Sequence, residues 1–173
     1  MDLEAHIRDV PDFPRPGIVF KDITPLLLDA PALQHTVGLL ADHAERIGDV
    51  DYVIAAEARG FILGAAVAAR IGAGFIPARK PGKLPSETAS IEYELEYGVD
   101  TLEMHSDALA GGKRVLVHDD LLATGGTAEA VCDLVERAGA DVAGCSFVIE
   151  LSFLGGRERL APHAVFALVD YTG

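Results

Sequence analysis

Short apolar runs that do not alternate with polar residues set the strongest limit on how this chain can fold. Tyr52-Val53-Ile54-Ala55-Ala56, Val115-Leu116-Val117 and most of the stretch from Val142 to Leu151 carry apolar or small side chains at successive positions. A strand of that kind must be covered on both faces, which is the condition of a parallel sheet between helices. The segments between the runs supply such helices. Asp29 reads as an N-cap with Pro31 in the first turn, after which Leu33, Val37, Leu40, Ala44 and Ile47 follow one helical face until Gly48. Phe61 to Ile71 is apolar almost all round, as a buried helix is. From Thr127 a third helix sets Val131, Leu134, Val135 and Ala138 opposite Glu129, Asp133, Glu136 and Arg137, and Gly139 stops it. Further strands are expected over Gly74 to Ala78, Arg114 to His118 and Val165 to Val169, with a short helix near Gly156 to Leu160. Strands alternating with helices predict right-handed crossovers and an α/β fold, a mostly parallel twisted sheet flanked by helices.

Two stretches fall outside this pattern. Val10 to Pro25 is too rich in proline for a helix or a central strand and is read as an ordered arm, part of an N-terminal hood over residues 1–35. Arg79 to Ser90 gathers Arg79, Lys80, Pro81, Gly82, Lys83 and Pro85, and reads as a mobile lid loop. Tyr93–Tyr97 and Thr101–His105 then pair as a hairpin across Gly98, and the flexible lid with the first half of that hairpin fills residues 79–98. Nothing repeats and no linker divides the chain, so residues 1–173 read as a single domain.

Composition narrows the function. With 14 basic against 27 acidic side chains, a net charge of −13, a broad basic face for nucleic acid is excluded, and any anionic ligand needs a local cluster. Cys132 and Cys145 form no CxxC and the histidines are scattered, so neither a zinc site nor a disulfide framework is expected. No apolar run approaches the ~18 residues of a membrane span. The chain reads as cytoplasmic, with no membrane partner.

The most telling run is Val115-Leu116-Val117-His118-Asp119-Asp120-Leu121-Leu122-Ala123-Thr124-Gly125-Gly126-Thr127. Two acids end a buried strand, and a loop of small residues opens a helix, the place where open α/β sheets bind ligands. The glycines let backbone N–H groups approach an anion and the helix dipole completes a phosphate cradle, to which Thr124 and Thr127 add hydroxyls. A phosphate would repel Asp119 and Asp120 at close range, so they must face hydroxyls or a cation. A sugar phosphate satisfies both halves. The loop is neither GxxxxGK[ST] nor GxGxxG, which disfavours a nucleoside triphosphatase or a dinucleotide enzyme.

This run resembles the phosphoribosyl pyrophosphate signature of the type I phosphoribosyltransferases. The arm Asp12-Phe13-Pro14-Arg15-Pro16-Gly17-Ile18-Val19-Phe20-Lys21-Asp22-Ile23-Thr24-Pro25, with Glu57-Ala58-Arg59-Gly60-Phe61, Arg79-Lys80-Pro81-Gly82-Lys83-Leu84-Pro85 and Leu95-Glu96-Tyr97-Gly98, resembles the adenine-using members of that family. The resemblance implies transfer of ribose 5-phosphate from phosphoribosyl pyrophosphate to adenine, giving AMP and pyrophosphate with Mg²⁺. It also implies a homodimer.

Residue by residue, it implies that Asp119, Asp120, Ala123, Thr124, Gly125, Gly126 and Thr127 hold the ribose phosphate. Arg59 with Gly60, Arg79 and Lys83 meet the pyrophosphate, Arg59 and Lys83 taking part in catalysis. Val19, Phe20 and the backbone near Lys21 hold adenine, and Glu96 exchanges a proton with the base. Mg²⁺ is expected on substrate oxygens with Asp120, directly or through water. Ala58 stands where a serine is frequent, Pro81 or Ser86 where relatives carry another basic residue, and His118 where a small or apolar residue is usual, adding a titrating neighbour to the acids. Two alternatives remain: a 6-oxopurine in place of adenine, and a regulator that senses the donor without turning it over.

Overall fold

The structure, a computed structural model, describes residues 1–95, 98–109 and 111–173. In chain order the elements are β1 (Arg8–Pro11), β2 (Val19–Asp22), α1 (Thr24–Leu28), α2 (Ala30–Ile47), β3 (Tyr52–Ala56), α3 (Arg59–Ile71), β4 (Gly74–Ala78), β5 (Thr88–Leu95), β6 (Gly98–His105), β7 (Arg114–Leu122), α4 (Gly126–Arg137), β8 (Asp141–Leu151), α5 (Gly156–Arg159) and β9 (Val165–Tyr171). A parallel sheet runs in the order β4-β3-β7-β8-β9, and β1-β2 and β5-β6 form two antiparallel ribbons.

The unbroken apolar runs are explained by two cores, one on each sheet face. Ile54, Val115, Val117 and Phe147 pack with Val131, Leu134 and Val135 of α4. Val53, Leu116 and Val148 pack with Leu40 and Ala44 of α2 and Leu63 and Val67 of α3. Alternate residues of one strand thus serve opposite cores, as a period of two requires. In α2 the Asp29 side chain accepts from the Ala32 amide at 2.8 Å, and Gly48 ends the helix at φ 100°. Its fully buried face shares Leu40 and Ala44 with the expected one but is rotated from it: Ala32, Thr36 and Ala41 also lie inside, while Leu33, Val37 and Ile47 are only partly buried against the same core. Small side chains let the helix approach closely, and Thr36 satisfies its hydroxyl on the Ala32 carbonyl at 2.8 Å.

Other boundaries move for reasons of pairing. The loop after Arg79 is shorter than expected, because β5 starts at Thr88. The hairpin pairs Glu94 with Val99, so Gly98 opens β6 and is not the turn. The ribbon is long because it adds to the core on the α4 side of the sheet: Ile91, Leu102 and Met104 are buried there. Strand β7 runs to Leu122, past the expected end at His118, because β8 accompanies it as far as Leu122 beside Glu150.

Candidate active site

Strands β3 and β7 are neighbours, yet the chain leaves them in opposite directions, through α3 to β4 and through α4 to β8. A crevice opens between carboxyl ends arranged in this way. A cavity of about 280 Å³ lies there, lined by Glu57, Ala58, Arg59 and every residue from Asp119 to Ala128. Its shape follows from strand lengths. Pairing between β3 and β7 stops at Ala55 beside His118, so Asp119 to Leu122 keep β8 on one edge and have no β3 on the other. Successive side chains of a strand diverge, and both acids reach the cavity because their neighbouring strand has ended.

Asp120 is buried, 2% exposed, and its Oδ2 lies 3.1 Å from Arg59 Nε in a charge contact without hydrogen-bond alignment. That oxygen is an unsatisfied acceptor at the cavity wall. Asp119 Oδ1 accepts from the Asp120 amide at 2.9 Å. Burial and then repulsion from Asp120 push the Asp119 carboxyl well above the usual carboxylate range. Burial raises Asp120 as well, against the pull of the Arg59 charge. His118 adds no charge at neutral pH, contrary to the expected titrating neighbour. Burial holds its pKa down to about 4, and its Nδ1 meets Ser146 Oγ at 3.0 Å.

Both helices that start at the cavity lack a side-chain cap. The N-cap of α4 is Gly125, at φ 85°, and that of α3 is Ala58. Their first N–H groups and positive dipole ends are therefore available to anions. Gly125 is required twice over: its φ is left-handed, and a Cβ would lie 2.9 Å from the Gly156 carbonyl oxygen. A Cβ at Gly126 would lie 3.1 Å from the Glu94 carbonyl, so the β5-β6 ribbon presses on the start of α4.

Of the residues expected from sequence, the cavity brings together Arg59, Asp119, Asp120, Ala123, Thr124, Gly125, Gly126 and Thr127. Gly60 stands behind them in the first turn of α3, where a Cβ would come 2.8 Å from Asp119 Oδ1. Arg79 and Lys83 do not line the cavity. Arg79 Nε donates to Glu57 Oε2 at 2.6 Å and its Nη1 to the Lys83 carbonyl at 3.3 Å, while Lys83 itself is exposed. Val19, Phe20 and Lys21 also lie outside the lining, although Arg59 Cζ stacks over the Phe20 ring at 4.8 Å and joins the N-terminal ribbon to Asp120. The Lys21 ammonium is taken by Asp9 at 2.6 Å and by the Tyr171 ring. Glu96 and Tyr97 lie outside the described residues. Sequence reasoning missed Glu57, which lines the cavity and orients Arg79. Its signal was present, since it opens the run Glu57-Ala58-Arg59-Gly60.

Among the described residues no three His, Cys, Asp or Glu side chains are grouped as a metal cage. An ion here would rest on ligand oxygens, with the unsatisfied Asp120 Oδ2 as the protein's fitting contribution.

The family model for a phosphoribosyl transferase domain matches residues 27–164. The adenine phosphoribosyltransferase of Rubrobacter xylanophilus is 59% identical over 98% of this chain and 91% of its own length. The crystal structure of adenine phosphoribosyltransferase from Thermoanaerobacter pseudethanolicus superposes with a TM-score of 0.94 at 51% identity, covering 98% of each chain. That of the Saccharomyces cerevisiae enzyme, complexed with an imino-altritol bisphosphate and adenine, gives 0.89 at 38% identity over 96% of each.

Proposed function

The chain belongs to the phosphoribosyltransferase family, and on that premise we propose the parts its residues take in moving the 5-phosphoribosyl group from phosphoribosyl pyrophosphate to adenine. The activity is that of an adenine phosphoribosyltransferase, a pentosyltransferase of purine salvage, giving AMP and pyrophosphate. One observation carries the assignment of roles: two acids and an uncapped, glycine-opened helix share a single cavity at the point where the sheet changes direction.

The 5′-phosphate sits on the backbone from Ala123 to Thr127, with the hydroxyls of Thr124 and Thr127, at the positive end of α4. The ribose diol donates to Asp119 and Asp120, whose ionised forms also stabilise positive charge as the sugar becomes cation-like. The bond from the anomeric carbon to pyrophosphate breaks, and the bond to the adenine ring nitrogen forms. Arg59 and the uncapped start of α3 hold the departing anion. Arg79 and Lys83 join them when the loop closes, excluding the water that would otherwise hydrolyse the donor.

Adenine lies against Val19 and Phe20, its edge read by backbone near Lys21. Glu96 takes the proton that the ring nitrogen sheds, or returns it in the reverse direction. Asp120, with substrate oxygens, would hold a Mg²⁺ ion, which would supply charge neutralisation for the leaving group. We read the working protein as a cytoplasmic homodimer. Ile62, 48% exposed on α3 beside Arg59, supports an interface at that face; among the described residues no helix is long and apolar enough to cross a membrane.

Pyrophosphate release measured with each purine, phosphoribosyl pyrophosphate and Mg²⁺ tests the whole reading. Turnover is expected with adenine. Preference for a 6-oxopurine would overturn the base assignment, and silence with every base would leave only a donor-sensing regulator.

A further inference from the structure

The four-residue helix α5 is too short to stand on its own propensity, since helix formation has a costly nucleus. Its fixed position has a cause in the preceding strand. Glu150, the penultimate residue of β8, is 3% exposed. Arg157 donates Nε to Glu150 Oε1 at 3.0 Å and Nη2 to Oε2, and its Nη1 donates to the Val165 carbonyl at 2.7 Å. One planar guanidinium thus ties α5 to the ends of two strands, and its fork fixes direction as well as distance.

What α5 presses on is the loop assigned above to the 5′-phosphate. A Cβ at Gly156 would overlap the Ala123 carbonyl oxygen and come 2.9 Å from Leu122 Cδ1, while a Cβ at Gly125 would come 2.9 Å from the Gly156 carbonyl. The two glycines interlock, main chain against main chain. On the far side Arg159 Nε reaches Glu129 in the first turn of α4 at 2.6 Å. No residue of α5 lines the cavity.

We propose that Arg157, seated on buried Glu150, is a positioning residue for the donor's phosphate: it holds Gly156 against the Ala123–Gly126 backbone and so sets where the cradle's N–H groups point. This rests on the assignment of that loop to the 5′-phosphate. A directional ion pair is kept in the sheet end, where an apolar contact would hold α5 less strictly, because displacements near 1 Å at a reacting site cost on the order of a hundredfold.

Two variants separate position from stability. Glu150→Met with Arg157→Met replaces the buried pair by apolar side chains of similar bulk, which commonly preserves folding. Gly156→Ala keeps the pair and pushes the loop directly. Both are expected to raise KM for phosphoribosyl pyrophosphate and Kd for AMP by about tenfold or more, with KM for adenine at saturating donor within about twofold. Arg157→Lys, which retains the charge and loses the fork, should fall between these and the unaltered protein. Folded variants, judged by thermal midpoint, with unchanged donor KM would overturn the proposal, as would a parallel rise in adenine KM. If the double variant does not fold, Gly156→Ala and Arg157→Lys decide on the same readouts. Thr124→Ala in the same assay isolates the premise. Donor KM unmoved by Thr124→Ala removes the phosphate-loop assignment, whereas a rise there without one in the α5 variants removes only the role of Arg157.

Discussion

On the α4 side of the cavity the chain offers main-chain N–H groups on an interlocked pair of glycines, Gly125 and Gly156. On the α3 side it offers the long side chain of Arg59, 44% exposed and held by Asp120, with Arg79, 36% exposed, held on Glu57 outside the lining. The first half is fixed before any ligand arrives, because its donors are backbone and its partners are packed. The second can rearrange, since partly exposed ion pairs are weak and cost little to exchange. A rigid half suits the sugar phosphate, which stays bound through the reaction. An adjustable half suits pyrophosphate and base, which must enter and leave.

The comparison breaks most visibly at the proton. Glu96→Gln should lower kcat by a factor of about 10²–10⁴ with donor KM little changed, as loss of a general acid–base group does. Single-turnover rates check this, and an unaffected rate would assign the proton to another group. Next in size, Asp120→Asn should raise donor KM by about tenfold or more, because a charge-assisted acceptor for the ribose hydroxyl is lost. Titration with AMP at several pH values sharpens the point. Both acids have raised pKa values and are wanted ionised, so AMP affinity should fall as pH drops.

Gly125→Ala tests the rigid half alone. The left-handed φ and the 2.9 Å approach to Gly156 predict a loss of about 2 kcal/mol in unfolding free energy, together with weaker donor binding. Denaturant midpoints and AMP titration measure the two effects.

A comparable stability effect comes from His118, whose folded pKa of about 4 lies below the ordinary imidazole value of 6.5. Between those values the unfolded chain binds the extra proton, so stability falls as pH falls through the window, by about 2 kcal/mol from pH 7.5 to pH 5. His118→Val should flatten that part of the profile, and thermal midpoints at the two pH values read it. The smallest effect is expected at Lys80, an exposed partner of Asp100 at 2.9 Å. Lys80→Ala should change stability by under about 0.5 kcal/mol and leave KM for both substrates unmoved. A large KM change would move Lys80 into the adjustable half.

The cavity wall on the α4 side was legible as one run between Asp119 and Thr127, because its residues are consecutive and their chemistry is written in residue type. The α3 half was legible only as separate runs. Nothing in the order of residues tells that Arg79 rests on Glu57, or that Arg59 spans from Phe20 to Asp120, since each contact joins segments set side by side by the sheet order.

By itself, then, the sequence determined the parallel sheet, since uninterrupted apolar strands admit no wet face, and it determined the glycine-opened loop before α4, since glycines before a helix leave amides open. Tertiary structure alone decided that β7 outruns β3, opening an edge where two adjacent acids share one cavity. It also decided that a four-residue helix would back the loop through Glu150 and Arg157. Both depend on how far strands run beside one another, and that length is set by packing between distant segments, which local residue preferences do not encode.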